Sequence, residues 1–271
     1  MVNFIQKDCY TISDLEEIVR LLRAPGGCPW DREQTHQSIR RNFIEEAYEV
    51  AEAIDEGHAG HLKEELGDVL LQVLFHTRIE EEAGVFSLND VADTVSKKLI
   101  FRHPHVFGDV KAEGSDEVLA NWEELKRQEK GQATHSDALN SVARSLPALW
   151  RAEKIQGKAK KAGFDWPSID GAMDKLGEEL GELQEAVLEN SNTREELGDL
   201  LFAAVNVARF LSIDPEEALH QASEKFTQRF SKVEEAAAAR GRAMEELSLP
   251  QLDELWDTVK AKDKQETSRD T

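Results

Sequence analysis

The chain is expected to be all-α, a tandem duplication of one helical unit, on three observations. Apolar residues recur at the three-and-four spacing of an amphipathic helix along most of the sequence. No convincing stretch alternates polar with apolar residues as a half-buried strand would. The segment "KEELGDVLLQVLF" (Lys63 to Phe75) is answered by "REELGDLLFAAVN" (Arg194 to Asn206).

Taken in order, the opening "MVNFIQKDCY" has neither a basic segment nor an apolar core, so no signal peptide is expected. Ser13 and Glu16 suggest a capping box opening "DLEEIVRLLRA". "APGGCPWD" reads as a loop from its Pro and Gly content. Long helices are expected from Ile39 to Ile54, His61 to Ala83, and Leu88 to Phe101. "FRHPHVFGDV" interrupts the pattern, since Pro104 breaks a helix, and helix resumes near Asp116.

The second half repeats this order. "AGFDWPS" (Ala162 to Ser168) stands where "GGCPWD" stood, and "DKLGEELGELQEAV" answers "NFIEEAYEVAEAI". Lys98-x-x-x-Arg102 is matched by Lys225-x-x-x-Arg229, and Trp122-x-x-x-Lys126 by Trp256-x-x-x-Lys260. Two helical domains follow, 1–130 and 131–271, with the break near "KGQATHSD". The polar end of the chain, from about residue 263, is expected to be disordered.

Composition sets the class. Hydrophobic residues make up 40% and charged residues 32%, as in a helix-rich globular protein. The net charge of −21 argues against a nucleic-acid partner, which needs basic patches, and agrees with a surface that attracts cations. Cys9 and Cys28 form no CxxC and no disulfide framework. No apolar run approaches the roughly 20 residues of a membrane span. A soluble cytoplasmic protein is the expectation.

Past Asp199 the stretch "LLFAAVNVARFL" is apolar nearly all round, so its helix is expected in an interior. Glu196 and Asp199 then sit at the mouth of a buried segment, where an unpaired carboxylate is costly. They have company. Each half carries Glu-Glu-x-x-Glu and then Glu-x-x-Asp: Glu45, Glu46, Glu49, Glu65 and Asp68, then Glu178, Glu179, Glu182, Glu196 and Asp199. Residues three apart share a helix face, and short connections make the two helices antiparallel neighbours. Two pairs therefore converge in each half, Glu46 and Glu49 with Glu65 and Asp68, and Glu179 and Glu182 with Glu196 and Asp199. Four converging carboxylates repel unless a cation lies between them, and oxygen-only ligands favour Mg²⁺ or Mn²⁺ over zinc. A solvated acidic helix face is the bland alternative, and the repetition of the whole pattern weighs against it.

Ions held this way usually keep open positions for substrate phosphates, which also need cations. Lys225 and Arg229 lie one turn apart on an expected helix, and Lys175 precedes Glu179 by one turn on the same face. Trp256 in "LDELWDTVK" is a core residue or a platform for a nucleobase. Trp30 and Trp166, in Gly- and Pro-bearing loops, read as packing anchors. His103 and His105 have no second pair at ligand spacing, which disfavours them as metal ligands.

"CPWD", the doubled EExxE…ExxD, "KFTQRF" and "LWDTVK" together resemble the two-domain MazG-type nucleoside triphosphate pyrophosphohydrolases, over about residues 12 to 262. The resemblance implies an all-α NTP pyrophosphatase fold whose four-helix-bundle units are completed by dimerisation. It also implies Mg²⁺-dependent hydrolysis of NTPs and dNTPs to the monophosphate and pyrophosphate. Carried over by position, Glu179, Glu182, Glu196 and Asp199 would be metal ligands. Lys175, Lys225, Arg229 and Trp256 would contact nucleotide, together with Glu178, Arg194 and Glu195. The C-terminal half is often the principal catalytic unit in this family, although the first half here retains all four acids.

No Ser-His-Asp or Cys-His set is visible, so a covalent nucleophile is not favoured. Metal-assisted attack by water fits the residues better, with Glu178 and Glu195, the outer members of the acidic doublets, as candidates for holding that water. Two rivals are a di-iron helical bundle and a non-catalytic acidic dimerisation protein. The first needs paired Glu-x-x-His motifs, and Glu217-x-x-His220 stands alone.

Overall fold

The computed structural model describes residues 4–109, 114, 118, 122, 125–126 and 134–267. It is all-α, with no strand among the described residues. The chain divides into two compact units, Met1–Lys126 and Arg127–Thr271.

The first unit begins with α1 (Ile12–Arg23), capped by Thr11 and not by Ser13: Thr11 and Asp14 exchange cap hydrogen bonds. A residue with extended backbone makes the better cap, and Ser13 already lies inside the helix. The loop after α1 is shorter than expected, because Pro29 occupies the first turn of a short α2 (Pro29–Glu33). Next come α3 (His36–Asp55) and α4 (Ala59–Glu82), which pair as a hairpin, then α5 (Leu88–Arg102) and a single turn, α6 (Pro104–Phe107). The helix expected to resume near Asp116 falls mostly outside the described residues. Val19, Ile39, Leu74 and Phe75 form the core where α1, α3 and α4 meet, with Leu15, Leu70 and Leu88 packed around them.

In the second unit, α7 (His135–Asn140) leads to α8 (Ala148–Lys161) and then to a second hairpin, α9 (Ile169–Glu189) and α10 (Thr193–Phe210). Helix α11 (Pro215–Ala239) follows, then a 3₁₀ turn at Met244–Glu246 and α12 (Leu249–Thr267). Asp214 caps α11 and also accepts the indole N–H of Trp150, tying α8 to the start of α11. Val233, Ala237, Leu255 and Val259 form the α11–α12 core. Helix α12 runs past residue 263, where disorder was expected, because Asp263 is held by Arg229 and Lys232. Residues 268–271 lie outside the described ones.

The apolar stretch after Asp199 is not enclosed by its own unit. Ala203, Val205 and Asn206 are buried, but Leu201 is 51% and Phe202 43% exposed. The reason is coverage: α8 and α9 supply the neighbours that α10 has in bulk, leaving a flank bare. Similar apolar positions stand open on α9 (Leu180, Val187), α11 (Phe226, Phe230) and, in the first unit, α5 (Val91, Val95, Leu99).

Candidate metal centres and their surroundings

Each hairpin presents its acids from two antiparallel helices, as the spacing requires. In the second unit, carboxylate oxygens of Glu179, Glu196 and Asp199 lie within 4.8 Å of one another, Glu179 being buried. Glu182 falls outside this set but close to it. Its carboxyl is pushed up by desolvation and then by the charge of Glu179. In the first unit the gathered set is Glu46, Glu49 and Glu65, and Asp68 is the one outside. Desolvation pushes the Glu46 carboxyl up, helped by a shared hydrogen bond with Glu49 and by the charges of Asp68 and Glu65. Three of each four converge in each unit. An all-oxygen set whose members repel one another is the donor set a hard divalent ion takes up, so these residues fit Mg²⁺ or Mn²⁺.

The surroundings of the two sets differ. Lys175 Nζ lies 2.7 Å from Glu179 and 2.8 Å from Glu178, and these bonds hold the ammonium well above the usual lysine range. Asn42 stands at the matching place in the first unit and is exposed. There the cluster is flanked instead by His61, whose Nε2 lies 3.1 Å from Glu65 and whose Nδ1 lies 2.8 Å from Glu56. The Glu56 contact pushes His61 up. In the second unit Asn192 donates to Glu196 at 2.6 Å.

Beside the second cluster lies a cavity of about 640 Å³, whose walls include Lys175, Glu179 and Asp199 together with Phe164, Trp166 and Asn206. That volume falls within the usual range for small-molecule sites. Trp166 belongs to this wall because residue 171 is glycine. A Cβ there would stand 2.3 Å from Trp166 Cδ1, closer than non-bonded carbons approach. In the same wall, Arg209 pairs with Asp165 through both guanidinium ends and also donates to Asn206. Trp166 was expected as a packing anchor, and the structure sets it in the cavity wall. Trp30, also expected as a packing anchor, is 61% exposed. Sequence reading missed the cavity, though the small Gly171 soon after Trp166 was an available signal.

The other expected nucleotide contacts sit elsewhere. Lys225 is exposed on α11, while Arg229 donates to Asp263 at 2.9 Å and Trp256 packs on Phe226 with ring centroids 5.2 Å apart. None of the three lines the cavity. Arg194 and Glu195 are exposed in the first turn of α10, and Glu178 is engaged by Lys175. Glu217 and His220 join no metal-ligating group among the described residues, nor do His103 and His105. No described helix is long and apolar enough to cross a membrane.

Comparison with known proteins agrees with the doubled arrangement. The MazG nucleotide pyrophosphohydrolase domain matches twice, at residues 34–107 and 168–234, each span containing one acidic set. The chain is 47% identical over 250 residues to a nucleoside triphosphate pyrophosphohydrolase/pyrophosphatase MazG of Thermotoga maritima, covering 92% of this chain and 96% of that one. It is 46% identical over 254 residues to a nucleoside triphosphate pyrophosphohydrolase of Escherichia coli K12, covering 92% and 97%.

Proposed function

The chain belongs to the MazG nucleotide pyrophosphohydrolase family, and on that premise we propose that it hydrolyses NTPs and dNTPs to the nucleoside monophosphate and pyrophosphate in the presence of Mg²⁺ or Mn²⁺. One observation carries the reading: Glu179, Glu196 and Asp199 converge, and Glu179 and Asp199 stand with Lys175 in the wall of a nucleoside-sized cavity.

Glu179, Glu196 and Asp199 would hold the divalent ion, with Glu182 close enough to join them. When bound, the ion polarises the phosphate chain and lowers the barrier to attack by water. Lys175 turns part of its charge from Glu178 and Glu179 to a phosphate oxygen, a charge-assisted contact. That transfer frees Glu178 to accept a proton from the attacking water, with Glu195 as the alternative acceptor. The aromatic face of Trp166 and the amide of Asn206 receive the nucleoside. Lys225 and Arg194 are exposed cations that remain for the phosphate chain, and Arg229 and Trp256 belong to the α11–α12 packing behind Lys225.

The same reading has a second copy of the chain covering the bare apolar flanks of α5, α9, α10 and α11, a homodimer that completes each bundle. Exposed stripes of this kind are a liability in a lone chain. The net charge of −21 speaks against nucleic acid as partner and agrees with a surface that attracts divalent cations; the proposed compartment is the cytoplasm. Anion-exchange analysis of products across all NTPs and dNTPs with Mg²⁺ tests the proposal. Monophosphate and pyrophosphate are expected, and diphosphate with orthophosphate would overturn it.

A further inference from the structure

The cavity beside the second carboxylate set holds two buried amides whose orientations are fixed by their neighbours. Gln156, on α8, donates its Nε2–H to the Phe202 carbonyl at 2.7 Å. An oxygen in that position would face another acceptor, so the free end of the amide is Oε1. That oxygen is buried and has no hydrogen-bond partner among the described residues. Asn206, on α10, has its Oδ1 taken by Arg209 Nε at 2.9 Å, so the group it has left to give is Nδ2–H₂. Arg209 is itself held by Asp165, which keeps the Asn206 amide from turning over. Both amides are more than nine-tenths buried, and both belong to the cavity wall. A buried acceptor without a donor is costly, and a ligand that supplies the donor removes that penalty.

Their depth says which part of a nucleotide they meet. Asn206 follows Asp199 by seven residues, two turns of α10, so the two share a face about 10 Å apart along the axis. Ala203 lies between them in the same wall and is small enough to let a sugar pass. A helix carbonyl points toward the N–H four residues on, so the Phe202 carbonyl, and Gln156 with it, lies toward the Asn206 turn. With the phosphates at Lys175 and Asp199, the sugar stands near Ala203 and the base reaches the two amides. Trp166 and Phe164 in that wall offer aromatic faces to a flat ring.

We propose that Gln156 Oε1 accepts an N–H from the edge of the nucleobase while Asn206 Nδ2 donates to an acceptor on that edge, so that an edge donor is what the second unit requires of a base. The inference rests on the nucleotide-hydrolase reading above and adds to it the residue that decides base preference. Adenine and cytosine meet Gln156 with an exocyclic amino group, guanine and uracil with a ring N–H. A base with no edge donor leaves Oε1 unpaired, and sites built around a hydrogen bond reject analogues that lack it.

Binding to the full-length protein with Mg²⁺ is measured by calorimetry for α,β-methylene ATP and for its counterpart lacking the amino group of the purine. Neither can be cleaved between the α and β phosphates. Wild type should hold the amino form about tenfold or more tightly. In Gln156→Met, which keeps the bulk and loses the acceptor, the difference should shrink below about twofold through weaker binding of the amino form. Gln156→Glu, protonated by burial, still donates to Phe202 and still offers an acceptor, and should retain the preference. The 2′-deoxy form of α,β-methylene ATP should bind relative to the ribo form in the same ratio in wild type and Gln156→Met. Equal binding of the amino and deamino forms by wild type overturns the proposal, whether or not the variants fold. So does a preference that survives Gln156→Met or is lost in Gln156→Glu, or a Gln156→Met effect confined to the 2′-hydroxyl, which would assign the acceptor to the sugar. Product analysis with the cleavable NTPs reports separately on the hydrolase reading: base discrimination without pyrophosphate release would sink that reading and leave this one standing.

Discussion

Substituting Gly171 by alanine should move Trp166 without unfolding the second unit. The added Cβ would lie 2.3 Å from Trp166 Cδ1, 2.6 Å from Cγ and 3.0 Å from Nε1. Non-bonded carbons settle at about 3.5–4.0 Å, so the ring must retreat by about 1 Å. Two stability terms then oppose each other. Alanine in a helix is favoured over glycine by up to about 1 kcal/mol. Trp166 is already 41% exposed. If the shift uncovers about 40 Å² of ring, the loss is about 1 kcal/mol at about 25 cal/mol per Å². Net stability should change by less than about 1 kcal/mol, within calorimetric reach, because the two terms nearly cancel. Activity should not be spared, since this wall receives the nucleoside: KM for NTPs should rise about tenfold, as displacements of this size commonly do. Gly157→Ala is the control, since a Cβ there meets nothing within 4 Å. It should raise Tm slightly and leave KM alone. The decisive assay is a double-mutant cycle with Trp166→Ala, in which the Gly171→Ala effect on KM should vanish. If the full effect persists without the indole, the reasoning from the steric overlap is wrong.

EDTA should abolish turnover, and Mg²⁺ or Mn²⁺ should restore it; full activity in excess chelator would refute the carboxylate sites. Side by side at saturating Mg²⁺, Glu179→Gln should remove most activity and Glu46→Gln should leave a substantial part, because Lys175 has no counterpart in the first unit; equal losses would show equivalent or coupled sites. Lys225→Ala should raise KM and lower kcat, since a charge-assisted phosphate contact is worth on the order of 1.5–3 kcal/mol, with circular dichroism unchanged. Arg229→Ala should instead lower Tm by leaving Asp263 tied to α11 through Lys232 alone, and an unaltered melting curve would count against that pairing. In the first unit His36 Nδ1 meets His76 Nδ1 at 2.7 Å, and His36 Nε2 meets Glu80 at the same distance. Desolvation and then the nearby His36 push His76 below the usual histidine range of about 6.5, so the native state favours its neutral form. That stability is present above pH 6.5 and is lost as pH falls from 6.5 through the lowered value, so Tm of the metal-free protein should drop over that window. The drop should be smaller in His76→Gln, and an identical pH profile would refute the account.

The helical repeat and its acidic sets were legible in the sequence because both follow from local periodicity. Three-residue spacing puts Glu46 beside Glu49, and Glu196 beside Asp199, whatever else the chain does. The duplication made the second hairpin readable from the first. Which acids actually converge was not legible. Asp68 and Glu182 fall outside their sets, a matter of how one helix of a hairpin is rotated against the other, and spacing within a single helix does not contain that angle. The cap at Thr11 in place of Ser13 turned on one residue's backbone angles. The helix running through Asp263 turned on partners at Arg229 and Lys232, far back in the chain. The cavity was hidden for a like reason. Its wall joins Trp166 from a loop, Lys175 and Glu179 from α9, and Asn206 from α10, and it exists because Gly171 lets an indole lie against a helix. Sequence alone determined the residues that carry charge and their faces, since those are properties of a single helix. Tertiary structure decided which charges meet, and what stands beside them, since those depend on the packing of several.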